Sequence, residues 1–525
     1  MKKNELLRRV FNLGLALSLI GSMLILGHAG AAPKPASTEK PQYGGVLKII
    51  YRGGPVNMGY PGQAGSIADL TCNFPAVESL VRVDERGLPV PWLATGWKIS
   101  PDLKSITFTL RKGVKFHDGA DFNAEAVKYT FDMYRSSPLP ELKQVTSIDV
   151  VDDYTVRFNL SQFQAQLLNT LATTRAAWVL SPTAVKTQTK EWCMTHPVGT
   201  GPFKFKDFKR DVSLRFEKFD GYWQKGKPYL DGIEYIFIAD QTTGLMAFKT
   251  GQAHVNLSAN ARDASELQGM GKYDITQAPA SVMACAGDSA NPKSPFADIR
   301  VRRAVEHAID REAIAKDMGY GFYRDVNQPF PPASWAYNPA VIGYPYNPQK
   351  SKELLAQAGY PNGFKTRIIC ETTYYQEMQV ALQSYLSQVG IDAKIESVTS
   401  ALYVQYLTKG WDNALLSTNN IPWNIGMDPG QTLLQRLSSK GSYNVSVIYP
   451  NDYETKLSKA NAEPDFEKRK VLLQELMKLA VDEYAMIIPI FQDHIVGVKY
   501  PEVHDSKIRE IWTIQWNPAD TWLSR

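Results

Sequence analysis

Strand-like and helix-like patterns alternate along nearly the whole chain, and only a mixed fold accommodates both. Val46 to Tyr51 is a short apolar run ended by Gly53-Gly54-Pro55, a strand entering a loop. Ser105 to Leu110 places Ile106, Phe108 and Leu110 on one face, a half-buried strand. Gly113 turns it, Val114 to Phe116 resumes, and His117-Asp118-Gly119 turns again. Tyr154 to Leu160 and Ile233 to Ile238 read the same way as Ser105 to Leu110. Asn123 can cap a helix whose stripe is Val127, Phe131 and Tyr134, with Thr130 as its polar interruption. Asp298 can cap another with Val301, Ala304, Val305, Ala308 and Ile309 on its core face. Asn347-Pro348 starts a helix and Gly359 ends it. Gln376 to Gln388 reads as a helix and Ile391 to Val398 as the strand after it. Phe466 to Val481 is a long amphipathic helix. Ile487 to Phe491 and Ile495 to Val498 read as two separate strands. The mixture predicts α/β lobes, and no internal repeat is visible.

Composition narrows the classes. The 525 residues include 44% hydrophobic side chains, enough for several cores. Mean hydropathy is −0.28, and only the N-terminus approaches a spanning length, which excludes a multi-span membrane protein. Fifty-eight basic and 53 acidic residues give +5, too balanced for a nucleic-acid binder. Lys2, Lys3, Arg8 and Arg9 precede the apolar stretch Leu13 to Leu26 and the small-residue site Ala29-Gly30-Ala31. That is an export signal over residues 1–31, followed by a linker at 32–42, and it implies a periplasmic protein. Arg8-Arg9 partly matches a twin-arginine signal, though Leu7 sits where Ser or Thr is usual. In an oxidising compartment Cys72, Cys193, Cys285 and Cys370 could form two disulfides in three pairings or remain buried thiols.

Catalytic patterns are missing. No H-E-x-x-H, G-x-S-x-G or phosphate-loop sequence occurs, and nothing calls for a cofactor or a metal. Asp152-Asp153 is a neighbouring pair on a turn. His117 reads as a structural turn residue.

One segment carries far more information. Ala94 to Phe116, ATGWKISPDLKSITFTLRKGVKF, resembles the signature of family 5 extracytoplasmic solute-binding proteins, which serve peptide and nickel ABC importers. Further blocks follow in that family's order: Phe116-His117-Asp118-Gly119, Gly199 to Phe203, Val301 to Val305 with Ala308 to Arg311, Tyr346-Asn347-Pro348 with Leu354 to Tyr360, and Ile488 to Phe491. The resemblance implies a two-lobe type II periplasmic binding fold with an extra subdomain on the first lobe and ligand in the interlobe cleft. By analogy, lobe I takes residues 43–78, 196–284 and 490–525, the subdomain 79–195, and lobe II 285–489. It also implies a small solute or peptide as ligand, an inner-membrane permease as partner, and a monomer. A sensor partner for a membrane receptor, or an exported chaperone or adhesin, are alternatives.

Candidate ligand contacts follow from the same analogy. Peptide-binding relatives anchor the ligand ammonium with an Asp shortly before an Asp-Pro or Glu-Pro step, four positions before the Pro. Here the segment is Leu416 to Pro429, LSTNNIPWNIGMDP, and that position holds Ile425. Asn419, Asn420, Trp423 and Asn424 surround it, pointing to a polar or amide-bearing solute with a flat apolar part. The loop after the first strand contributes Asn57 and Tyr60, and Arg52 if the ligand is anionic. The hinge regions contribute Asp288, Ser289 and Gln492, and His494 could reach a ligand or a metal chelate.

Overall fold

The computed structural model describes residues 40–63, 66–137, 140–372, 375–422, 427–508, 516 and 518–525. The export signal expected at 1–31 lies outside them. The elements that position the site run in this order. Strand β1 is Val46–Tyr51 and helix α1 Ile67–Asn73. The subdomain follows with β2 Ala94–Ile99, β3 Ser105–Leu110, α2 Ala124–Arg135, β4 Val145–Asp152 and β5 Thr155–Leu160. The stretch that the resemblance assigns to lobe I resumes with β6 Phe203–Lys209, β7 Ser213–Lys218, β8 Gly232–Phe237, α3 Gln241–Lys249, β9 Val255–Asn256, α4 Ala261–Gly269 and β10 Asp274–Gly287. The stretch that the resemblance assigns to lobe II has α5 Ile299–Ala308, α6 Arg311–Gly319, β11 Arg324–Asp325, α7 Pro348–Gln357, β12 Phe364–Glu371, α8 Gln376–Gln388 and β13 Ile391–Val398. It continues with α9 Ser400–Lys409, β14 Ala414–Pro422, α10 Pro429–Arg436, α11 Asn451–Ala462 and α12 Phe466–Lys478. Strand β15, Ile488–Lys499, returns to lobe I.

Local chemistry explains many boundaries. Asn123 Oδ1 accepts the Ala126 amide at 3.0 Å and caps α2. Val127, Thr130 and Phe131 are fully buried there. The polar member of the stripe is tolerated because Thr130 Oγ1 donates to the Leu180 carbonyl at 3.0 Å. Asp298 caps α5 and Asn347 caps α7, with Pro348 at its first position. Helix α12 continues past Lys478 as one π turn, Leu479–Glu483. Val114 to Phe116 forms no strand; Lys115 makes a single bridge to Asp121.

The subdomain sheet runs β2-β3-β5-β4 around a core of its own. The large sheet runs β6-β7-β8-β1-β9-β15-β10-β14-β12-β13, with β11 also on β15. Strands β10 and β15 belong to both lobes. They pair from Asp274 and Lys499 to Pro279 and His494, slip register, pair again at Val282 and Gln492 and at Met283 and Phe491, and after a second shift pair from Ala284 and Pro489 to Cys285 and Ile488. The slip is a bulge on β10, where Pro279 has no amide to continue the ladder. It lies in sequence near 284, and its partner near 490, the positions where the resemblance implies hinge crossings. The two strands expected at 487–491 and 495–498 are therefore one. Gln492, Asp493 and His494 interrupt the apolar pattern without interrupting the pairing.

All four cysteines are buried free thiols. Cys285 and Cys370 come nearest in the sheet. Cys285 pairs with Ser417 of β14, and β12, which carries Cys370, pairs with the other edge of β14. Two strand spacings separate them, about 10 Å, beyond the reach of a disulfide.

Candidate functional site

Strand direction locates the site. Strands β1, β8 and β9 are parallel, and β9 runs antiparallel to β15 from the Val255–Lys499 pair to the Asn256–Val498 pair. Continuing β15 backward from Val498 leads to His494 and the hinge. In lobe II, β14 runs from Leu415 opposite Gly287 to Pro422 opposite Ser281, again toward the hinge. Strands β12 and β13 are parallel to it. The carboxyl ends of both parallel sheets thus converge on one line, where open α/β sheets bind ligands.

Strand β15 crosses that line with two different faces. On one, the Tyr323 ring stacks on Phe491 at 5.2 Å and the Tyr375 ring meets it edge-on at 5.6 Å. Asp493 shares this face and is partly buried. Its Oδ1 accepts the Ser281 amide at 2.6 Å and its Oδ2 accepts the Tyr375 hydroxyl at 2.8 Å. Burial pushes the Asp493 carboxyl up to about 6. A cavity of about 680 Å³ opens beside these rings. It is lined from lobe I by Asn260 and Arg262 and from lobe II by Asp317, Tyr323, Tyr375 and Glu377, so it bridges the lobes.

The other face carries Gln492 and His494. Gln492 is 5% exposed. Gln492 Nε2 and His494 Nδ1 are buried and have no hydrogen-bond partner among the described residues. Burial lowers the His494 imidazole to about 4, and the Arg324 charge adds to this. The ring is therefore neutral at physiological pH.

The remaining sequence candidates fall in different places. Arg52 is exposed, one residue beyond β1. Asn57 is buried and shapes its own loop: Oδ1 accepts the Tyr60 amide at 3.1 Å and Nδ2 donates to the Tyr60 carbonyl at 3.0 Å. Tyr60 turns its ring toward Lys190 of the subdomain, 5.5 Å away. Asp288 and Ser289 lie at the far end of β10 and do not join the cleft. Seven residues separate Asp288 from Ser281, roughly 23 Å of strand. Both side chains hold structure. Asp288 Oδ2 accepts from the Asn413 amide and Asn291 Nδ2, and Ser289 Oγ accepts the Ile448 amide. Trp423, Asn424 and the side chains of Asn419 and Asn420 lie outside the described residues. The Asp-Pro step after them is rigidly held. Asp428 caps α10, accepting the Gln431 amide at 3.0 Å, and Arg469 grips its carboxylate with two bonds of 2.6 and 2.5 Å.

Sequence reasoning missed Tyr323, Tyr375, Asp493 and Arg324. A signal for Tyr375 did exist, because an aromatic residue just past a parallel strand is placed at the carboxyl edge. The others depend on the slip in β10 and on the return of β15.

Comparison with known proteins identifies the family. The profile of the bacterial extracellular solute-binding proteins, family 5 middle region, fits residues 89–444. The chain belongs to this family of solute-binding proteins. A curated family 5 relative, the glutathione-binding protein GsiB of Salmonella typhimurium, is 34% identical over 314 residues, 58% of this chain and 60% of that protein. Heme-binding protein A of Haemophilus influenzae is 33% identical over 303 residues, 53% of this chain and 55% of that one. The matched stretch thus spans about 60% of the first of these relatives. Among solved structures, the periplasmic binding protein DppA of Helicobacter pylori, in complex with peptide STSA, superposes with TM-score 0.73 at 26% identity. That match covers 92% of this chain and 99% of DppA. HbpA2 of Haemophilus parasuis reaches TM-score 0.80 over 92% of this chain at 23% identity and attests the fold. The fold is the two-lobe α/β architecture of periplasmic binding proteins, and these family 5 relatives are binding proteins.

Proposed function

We propose that this chain is the exported solute-binding component of an ABC importer. It captures a small peptide or peptide-like solute between its lobes and presents the closed form to an inner-membrane permease. The export signal, cleaved after Ala31, delivers it to the periplasm as a monomer. The observation that carries this reading is the convergence of both sheets' carboxyl ends on a two-strand hinge. A ligand there touches both lobes only when they close, so it shifts an open–closed equilibrium. The peptide-bound and glutathione-binding relatives support the solute class. Ile425 stands at the sequence position expected to hold the ammonium anchor.

The test is thermal shift of residues 32–525 against di- to pentapeptides, glutathione, oligosaccharides and metal chelates, followed by small-angle scattering of the hits. A bound solute raises the midpoint by mass action, and closure lowers the radius of gyration. Peptides with free and acetylated N-termini should bind alike. A shift without compaction, or no shift with any solute, rejects capture by closure.

A further inference from the structure

Unsatisfied polarity on the hinge strand points to a definite ligand group. Residues directly opposite in an antiparallel pair share a face, and so do alternate residues of one strand. Arg324 pairs with Gln492, and His494 lies two residues further on. The shift between Pro279 and Val282 places its extra residue on β10, and the one on β15 lies before Phe491, at Ile490, so Gln492, Asp493 and His494 alternate regularly. Arg324, Gln492 and His494 therefore form one row on one face, at the level where the sheets' carboxyl ends meet. Val282, opposite Gln492, packs in the cluster that includes Leu433 of α10.

The row is rich in donors. Arg324 is exposed, and only its Nη1 donates, to the Gly321 and Tyr323 carbonyls. Gln492 offers a buried amide N–H with no acceptor among the described residues. Such a group costs free energy until something accepts from it. His494 adds a ring nitrogen in the same condition. The neighbouring acids face away: Asp325 pairs with Phe491, and Asp493 sits between Gln492 and His494 on the opposite face, with both oxygens engaged.

We infer that Arg324, Gln492 and His494 form a subsite for a carboxylate on the captured solute, with Arg324 supplying the charge and Gln492 the buried donor. The ligand is then held by its acidic end, which fits a sequence with Ile425 where an acid for the ammonium is expected. The inference rests on the solute-capture reading above.

Calorimetry with the mature chain, using di- and tripeptides as free acids and as C-terminal amides, tests it. Wild type should prefer the acids by about tenfold or more, the factor expected of a charge-assisted hydrogen bond. Arg324→Ala and Gln492→Leu should each abolish that preference by weakening the acids alone, with unliganded melting midpoints near wild type. Peptide binding with no acid preference overturns the subsite and leaves solute capture standing. A preference that survives both substitutions places the carboxylate elsewhere and also overturns it. No peptide binding at all overturns this inference together with peptide capture.

Discussion

The two faces of β15 make an instructive pair. Phe491 and Asp493 look to one side, where an aromatic stack, an amide and a phenol meet every demand. Gln492 and His494 look to the other, where two buried polar atoms find no partner among the described residues. One face is completed by the fold itself. The other stays incomplete at a cost in stability, which a functional face can recover when ligand arrives. Satisfaction of polar groups, more than burial, separates structural from ligand-facing residues here.

Substitutions on the completed face should cost the most. Phe491→Ala empties a packed site between Tyr323 and Tyr375 and should destabilise by about 3–5 kcal/mol in denaturant titrations. A cost below 1 kcal/mol would show the stack to be loose. Tyr375→Phe removes one donor from Asp493 and leaves the carboxylate under-bonded, which predicts a loss of about 1–3 kcal/mol.

The pH dependence sharpens the contrast. Asp493 holds its proton up to about 6 in the folded chain, above its ordinary 3.8. Between those values the folded state binds more protons than the unfolded state at this group. Its contribution to stability therefore falls as pH rises from about 4 to 6, then levels off. Asp493→Asn should flatten that part of the wild-type profile in melts from pH 4 to 7. Identical slopes would mean the group titrates normally. The smallest effect belongs to the incomplete face. Gln492→Leu removes an unpaired donor and should change stability by less than about 1 kcal/mol in either direction. If it costs as much as Tyr375→Phe, the two faces are equivalent and the comparison fails.

Much of the scaffold was legible because its signals are local. The caps at Asn123, Asp298 and Asn347 and the alternation from Ser105 to Leu110 all depend on residues a few positions apart. The site was less legible. Asp288 and Ser289 were expected in the cleft because they are near a hinge crossing in sequence, yet a strand carries the chain roughly 3.3 Å per residue away from it. Asn57 has the chemistry of a ligand contact but spends it on Tyr60. Gln492 was expected just after the last hinge strand and lies within β15, on the face whose buried polar atoms have no partner among the described residues.

The sequence by itself determined the family, the alternation of elements and the caps that bound them, because periodicity and capping act within a turn or a strand. Only the tertiary structure decided that β10 slips register at Pro279, that Cys285 and Cys370 stay apart, and that Arg324 stands beside Gln492. Those outcomes concern residues from 85 to more than 200 positions apart. Strand order and register, which no local pattern encodes, bring them together.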